Sequence, residues 1–299
     1  MTNCSSNEKI NIGLTQFVSH EALNKCRDGF KEALKDNGYG KNKVKFIESN
    51  AQGDVSATNL IASDLVNKKV DLVMAIATPS AQAIKNATKE TNIPILFSAI
   101  SDPFLAGLVP GENITGTSDK TPIDKQFSLI NQIIPNTKNI GFIYNLGEPN
   151  SLVQLSDAKE LAKKNSFNII EKGITTATEL SDAVDILLDK VDVFYIPTDN
   201  LVASTMPIIY EKSIAKGIPI IGSEKAHVES GALITDGIDY YELGYQTGLM
   251  AIKIIEGKSP NDIPVEILED TQMVVNLNTV NKLNINIPQS ILDQAEVIE

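Results

Sequence analysis

The chain has 299 residues, a formal net charge of −12 and a single arginine, Arg27. A nucleic-acid partner needs a basic footprint, so this balance excludes one, and a lone arginine leaves no guanidinium clamp for phosphates or dicarboxylates. Two cysteines, Cys4 and Cys26, and two histidines, His20 and His227, are too few for a disulfide framework or a histidine-rich metal site, so neither metal nor cofactor is expected.

In chain order, residues 1–9 read as a tether, with Cys4 standing in Cys-Ser-Ser-Asn ahead of the first strand. A polar tether led by a cysteine is what a bacterial lipoprotein retains after signal-peptide cleavage, so Cys4 is the expected lipidation point. Met1-Thr2-Asn3 do not form the cleavage signal that would precede it. No apolar run is long enough to cross a bilayer, so attachment would be by lipid. Strand-like runs at 10–15, 43–49, 71–76 and 94–98 then alternate with helical periodicity at 20–37, 55–68 and 80–90. Cys26 falls among the apolar positions of the first helix, as a small buried side chain.

A crossing near Gly116-Thr117-Ser118 and a helix at 123–134 lead into a second series: strands 139–144, 167–173, 192–196 and 219–222, helices 151–165, 179–189 and 201–215. The two series match in pattern. Val70-Asp71-Leu72-Val73 answers Val191-Asp192-Val193-Phe194, and Asn92-Ile93-Pro94-Ile95 answers Gly217-Ile218-Pro219-Ile220. An offset of roughly 125 residues is one domain's length, which predicts two similar lobes. A second crossing is expected after Leu233-Ile234-Thr235-Asp236. The following helix, 240–256, has no counterpart and carries Leu243, Gly244, Thr247, Gly248, Ala251 and Ile255 on one side, a stripe suited to close packing. Runs 264–268 and 273–277 read as short strands returning to opposite lobes.

The expected fold is α/β: two doubly wound parallel-sheet lobes, 10–117 with about 238–270 and 118–237 with about 271–299, joined by a three-segment hinge around a cleft. Ligands bind beyond the carboxyl ends of such strands. Those positions hold Gln16 and Phe17, Thr78 and Ser80, Asn150 and Ser151, Asp199 and Asn200, and Asp236. Thr78-Pro79-Ser80 reads as a helix start with Thr78 at the cap, and Asn150-Ser151 as a second one, so free backbone N–H groups there favour a carboxylate. Asp199 and Asp236 each follow an apolar run and suit a ligand ammonium; the alternatives are a helix cap for Asp199 and a turn start for Asp236. Phe17 suits stacking on a flat ligand at a cleft edge, or the core. No P-loop, dinucleotide fingerprint, nucleophile elbow or zinc-protease motif is present, which favours a binder over an enzyme.

Ile12-Gly13-Leu14-Thr15-Gln16-Phe17-Val18-Ser19-His20, Ala75-Ile76-Ala77-Thr78-Pro79-Ser80-Ala81-Gln82 and Ile95-Leu96-Phe97-Ser98-Ala99-Ile100-Ser101-Asp102-Pro103 resemble the substrate-binding lipoproteins of ABC importers, in the branch that binds tryptophan and other aromatic amino acids. Pro197-Thr198-Asp199-Asn200 and Gly244-Tyr245-Gln246-Thr247-Gly248 match as well. The resemblance implies a type I periplasmic-binding-protein fold closing on a free aromatic L-amino acid. Thr78, Ser80, Asn150 and Ser151 would hold its carboxylate, Asp199 and Asp236 its ammonium, and Gln16 and Phe17 its side chain, with a slight lean to tyrosine because Gln16 and His20 suit a phenol. It also implies ABC permease partners, a monomer, and an extracytoplasmic place on a lipid anchor, in a Gram-positive cell by composition. A sugar or nucleoside receptor on the same fold, and a two-lobed racemase or lyase, are the alternatives.

Overall fold

The computed structural model describes residues 9–109, 111–268 and 270–299. The proposed lipidation point, Cys4, lies outside them. In chain order the elements are β1 (Ile10–Gln16), α1 (Glu21–Asp36), β2 (Val44–Asn50), α2 (Val55–Asn67), β3 (Leu72–Ile76), α3 (Thr78–Ala87), β4 (Ile95–Ile100), β5 (Ile114–Ser118), α4 (Ile123–Ile133), β6 (Asn139–Asn145), α5 (Pro149–Lys164), β7 (Asn168–Ile174), α6 (Ala177–Leu188), β8 (Val193–Ile196), α7 (Asn200–Ser204), α8 (Met206–Lys216), β9 (Ile220–Gly222), α9 (Lys225–Glu229), β10 (Ile234–Gly237), α10 (Tyr240–Ile255), β11 (Glu266–Ile267), β12 (Gln272–Asn276), α11 (Leu277–Leu283), α12 (Gln289–Leu292) and β13 (Glu296–Ile298).

The chain forms two compact units, residues 1–119 with 240–267 and residues 120–239 with 268–299. The first holds a parallel sheet ordered β11-β5-β4-β3-β1-β2, the second a sheet ordered β13-β12-β10-β9-β8-β6-β7. Omitting the added edge strands, both read second-first-third-fourth-fifth, the doubly wound order whose direction reverses between the first and third strands. One departure from the expected parallel sheets is β12, which runs antiparallel to β10.

The second unit shows why its strands are near-continuous apolar runs. Side chains alternate faces along a strand. Phe142, Tyr144, Val193 and Tyr195 belong to one buried cluster, while Ile143, Phe194 and Ile196 belong to another on the other face. In the first unit, Val73, Ala75, Ile95 and Phe97 pack with Ala62, Leu65 and Ile84 from α2 and α3. Cys26 is fully buried on α1, donates to Ser98 Oγ at 3.1 Å, and burial pushes its thiol up to about 12, where it stays an unreactive S–H.

Strands β5 and β10 are the fifth strand of each unit, and the chain passes from one unit to the other just after them, at 119–120 and 239–240. Two local expectations are corrected. The single helix expected at 201–215 is two helices, interrupted at Thr205, because Pro207 enters the first turn of α8 and cannot continue the hydrogen-bond ladder of α7. Helix α3 begins one residue early: Ala77, not Thr78, is at its cap.

Candidate functional site

In the first unit the reversal of strand order falls between β1 and β3, where a doubly wound sheet opens a crevice at its carboxyl end. Four polar residues converge there, all buried: Thr15 and Gln16 end β1, and Thr78 and Ser80 open α3 after β3. Among the described residues, Thr15 Oγ1, Gln16 Oε1 and Ser80 Oγ have no hydrogen-bond partner. Gln16 is locked from its other side, its Nε2 donating to Val18 O at 2.7 Å and to Asn24 Oδ1 at 2.9 Å, so Oε1 presents an acceptor only. An unpaired buried polar group costs about 1–3 kcal/mol, and native chains retain few without a purpose.

The backbone at this end is strained as well. Ala77 has φ 75° and ψ 153°, and Ala99, in β4, has φ 59°. Each side chain with a Cβ held at positive φ costs about 1–3 kcal/mol, and such residues gather at sites where the chain must be aimed. Ala77 aims the first turn of α3, which no side chain caps. That turn carries the positive end of the helix dipole, suited to a carboxylate. Phe17, the residue after β1, is 5% exposed. His20 occupies the cap position of α1.

In the second unit the reversal falls between β6 and β8. A buried acidic hub unforeseen from sequence occupies it. Glu148, at the cap of α5 and 1% exposed, accepts from Asn145 Nδ2 (3.1 Å), Asn200 Nδ2 (2.5 Å), Asn200 N (3.1 Å) and Leu201 N (3.1 Å). Asp199 beside it is fully buried and takes the cap of α7: Oδ1 accepts from Val202 N (2.9 Å), and Oδ2 accepts from Asn145 N (2.6 Å) and Ser151 Oγ (2.6 Å). Burial first, and then the neighbouring Glu148, push its carboxyl up to about 7.

These bonds redistribute the candidate residues. Asp199, Ser151 and Asn200 are brought together, with Ser151 Oγ bonded to Asp199 and Asn200 Nδ2 to Glu148, while Asp199 caps α7. Asp199 takes the helix-cap role that was its alternative reading, with three donors on its carboxylate. Asn150 Nδ2 donates to Thr198 O at 3.0 Å and to Glu148 Oε2 at 3.5 Å, but among the described residues its buried Oδ1 has no partner. Asp236 does not start a turn but lies within β10, half-buried, its carboxylate without a hydrogen bond or ion pair among the described residues. Its neighbour Thr235 has an unpartnered buried Oγ1. Among the described residues no cluster of His, Cys, Asp and Glu suits a metal.

Both units therefore keep unpartnered polar atoms where doubly wound sheets hold ligands. The family model for ABC transporter substrate-binding proteins matches residues 11–298. The chain belongs to that family. This substrate-binding protein is 47% identical over 286 residues to the tyrosine-binding protein of Clostridioides difficile, an alignment covering 93% of this chain and 82% of the relative. Two solved structures are similar. One is an ABC domain from Streptococcus pneumoniae in complex with L-tryptophan (36% identity, TM-score 0.94, 97% of this chain and 100% of that one). The other is the ligand-free, open structure of a Clostridium difficile substrate-binding protein with adhesive properties (45% identity, TM-score 0.73, 97% and 99%). Substrate-binding proteins of ABC transporters work outside the cytoplasm, and among the described residues of this one no helix is long and apolar enough to cross a membrane.

Proposed function

We propose that this substrate-binding protein captures a free aromatic L-amino acid, tyrosine before phenylalanine or tryptophan, and delivers it to the permease subunits of an ABC importer without transforming it. It acts as a monomer on the outer face of a Gram-positive membrane, held by a lipid on Cys4. The observation that carries the reading is the set of buried polar atoms left unpartnered at the strand ends of each unit. Ser80 and Thr78, with the uncapped first turn of α3, and Asn150 take the carboxylate. Asp236 takes the ammonium, since Asp199 is already engaged. Gln16 Oε1 takes the phenol O–H. The names of the relatives, one tyrosine-binding and one holding L-tryptophan, support the ligand class.

Calorimetric titration with tyrosine, phenylalanine and tryptophan tests this. Tyrosine binds at micromolar concentration or tighter, and silence from all three ends the proposal. The lean to tyrosine rests on Gln16. A locked buried acceptor rejects an analogue lacking the hydroxyl, because it is then left unpaired. Gln16→Met accordingly weakens tyrosine about tenfold or more and leaves phenylalanine unweakened or tighter, since no acceptor is then left unpaired. Equal losses for both ligands would place the phenol elsewhere.

A further inference from the structure

We infer that Gln126 is a positioning residue that aims Asp236, and hence the ammonium contact; the inference rests on the functional reading above. Gln126 is fully buried on α4. Its Nε2 donates to two main-chain carbonyls, Ser223 O at 3.1 Å and Asp236 O at 2.9 Å, while its Oε1 accepts from Tyr195 Oη at 2.7 Å. The Tyr195 hydroxyl thereby fixes which way the amide faces: with Oε1 taken, both N–H donors point at the carbonyls. Tyr195 cannot turn aside, since its ring is edge-on to Phe127 at 5.4 Å and stacked on Phe142 at 5.8 Å.

The amide acts where the sheet is least regular. Ile234 pairs with Ile221, yet further along it is Ile238 that bridges Glu224, so β10 carries one extra residue between those two pairings. The insertion is absorbed at Gly237, where a Cβ would lie 2.6 Å from Ser223 O and 3.1 Å from Glu224 Cα. A stepped ladder of this kind bends and re-aims the side chains beside it. With no partner on the Asp236 carboxylate among the described residues, the placing of its main chain decides where that carboxylate can reach, and the main chain is held by the pairing with Met273 of β12 and, at Asp236's own carbonyl, by Gln126.

A double-mutant cycle on the full chain separates aiming from mere stability. L-Tyrosine affinity is measured for the wild type, Gln126→Met, Asp236→Asn and the pair. Gln126→Met alone weakens tyrosine by about tenfold, and in the Asp236→Asn background it adds almost nothing, because there is no longer a charge to aim. An equal loss in both backgrounds, or no loss in either, overturns the inference. Should Gln126→Met fail to fold, Tyr195→Phe takes its place in the cycle; it keeps the ring packing, removes only the hydroxyl that orients the amide, and follows the same pattern with a smaller loss. A wild type that binds no tyrosine sinks the functional reading, whereas a wild type that binds but shows additive losses sinks the aiming role alone.

Discussion

Gly244→Ala lowers the stability of the first unit by about 3 kcal/mol or more, and its melting transition by roughly 10 °C. On helix propensity the change would stabilise α10 by about 1 kcal/mol, since alanine is the better helix former. Tertiary geometry reverses the sign. A Cβ at Gly244 would sit 1.9 Å from the main-chain oxygen of Cys26, and one at Gly29 would sit 2.1 Å from that of Tyr241. Both obstacles are backbone and cannot swing away. The helices α1 and α10 would have to part, pulling Phe30 and Leu34 from full burial and breaking the buried hydroxyl chain Ser98–Thr117–Thr247, whose two links are 2.8 Å each. Gly40→Ala is the control: nothing lies within 4 Å of a Cβ there, and the change stays within about 0.5 kcal/mol. Thermal and urea unfolding followed by circular dichroism measures both, and a Gly244→Ala protein that melts with the wild type refutes the close approach.

Asp199→Ala costs the second unit about 2–4 kcal/mol: a lost helix cap at Val202, plus Asn145 N and Ser151 Oγ left without their acceptor. The same residue leaves a signature in pH. Its carboxyl is raised in the folded state to about 7 by burial and by Glu148, above its value in the unfolded chain. The folded state therefore holds the proton more firmly. Its contribution to stability is fully present below the unfolded pKa of about 4 and is lost as pH rises through about 7. Unfolding free energies measured from pH 4 to pH 8 decline across that window for the wild type, and Asp199→Ala flattens the decline. A wild-type stability that instead climbs over this range would show the buried carboxyl to be ionised throughout.

Much of the architecture was legible because it repeats a local signal. Alternating apolar runs and helical stripes depend on residues near one another in sequence, and the duplicated Val-Asp-apolar and Ile-Pro-Ile passages marked equivalent strands in the two units. The small-residue stripe on α10 was likewise visible, and its glycines are those that meet α1. Even Gln126 left a trace: it falls on the buried stripe of α4 with Ile123, Phe127 and Ile130, a polar residue where an apolar one belongs.

Strand-end positions followed from sequence alone, because residue order along a strand dictates which side chains lie at its carboxyl end. Which of those side chains are spent and which remain available was decided only by tertiary structure. Asp199 and Asp236 look alike as acids after apolar runs, yet one accepts from donors on α5, α7 and β6 while the other has none among the described residues. The physical reason is that a hydrogen bond's value depends on a partner tens of residues away: Ser151 to Asp199, Glu148 to Asn200, Gln126 to Asp236. Such pairings exist only once the sheet has brought its strand ends side by side.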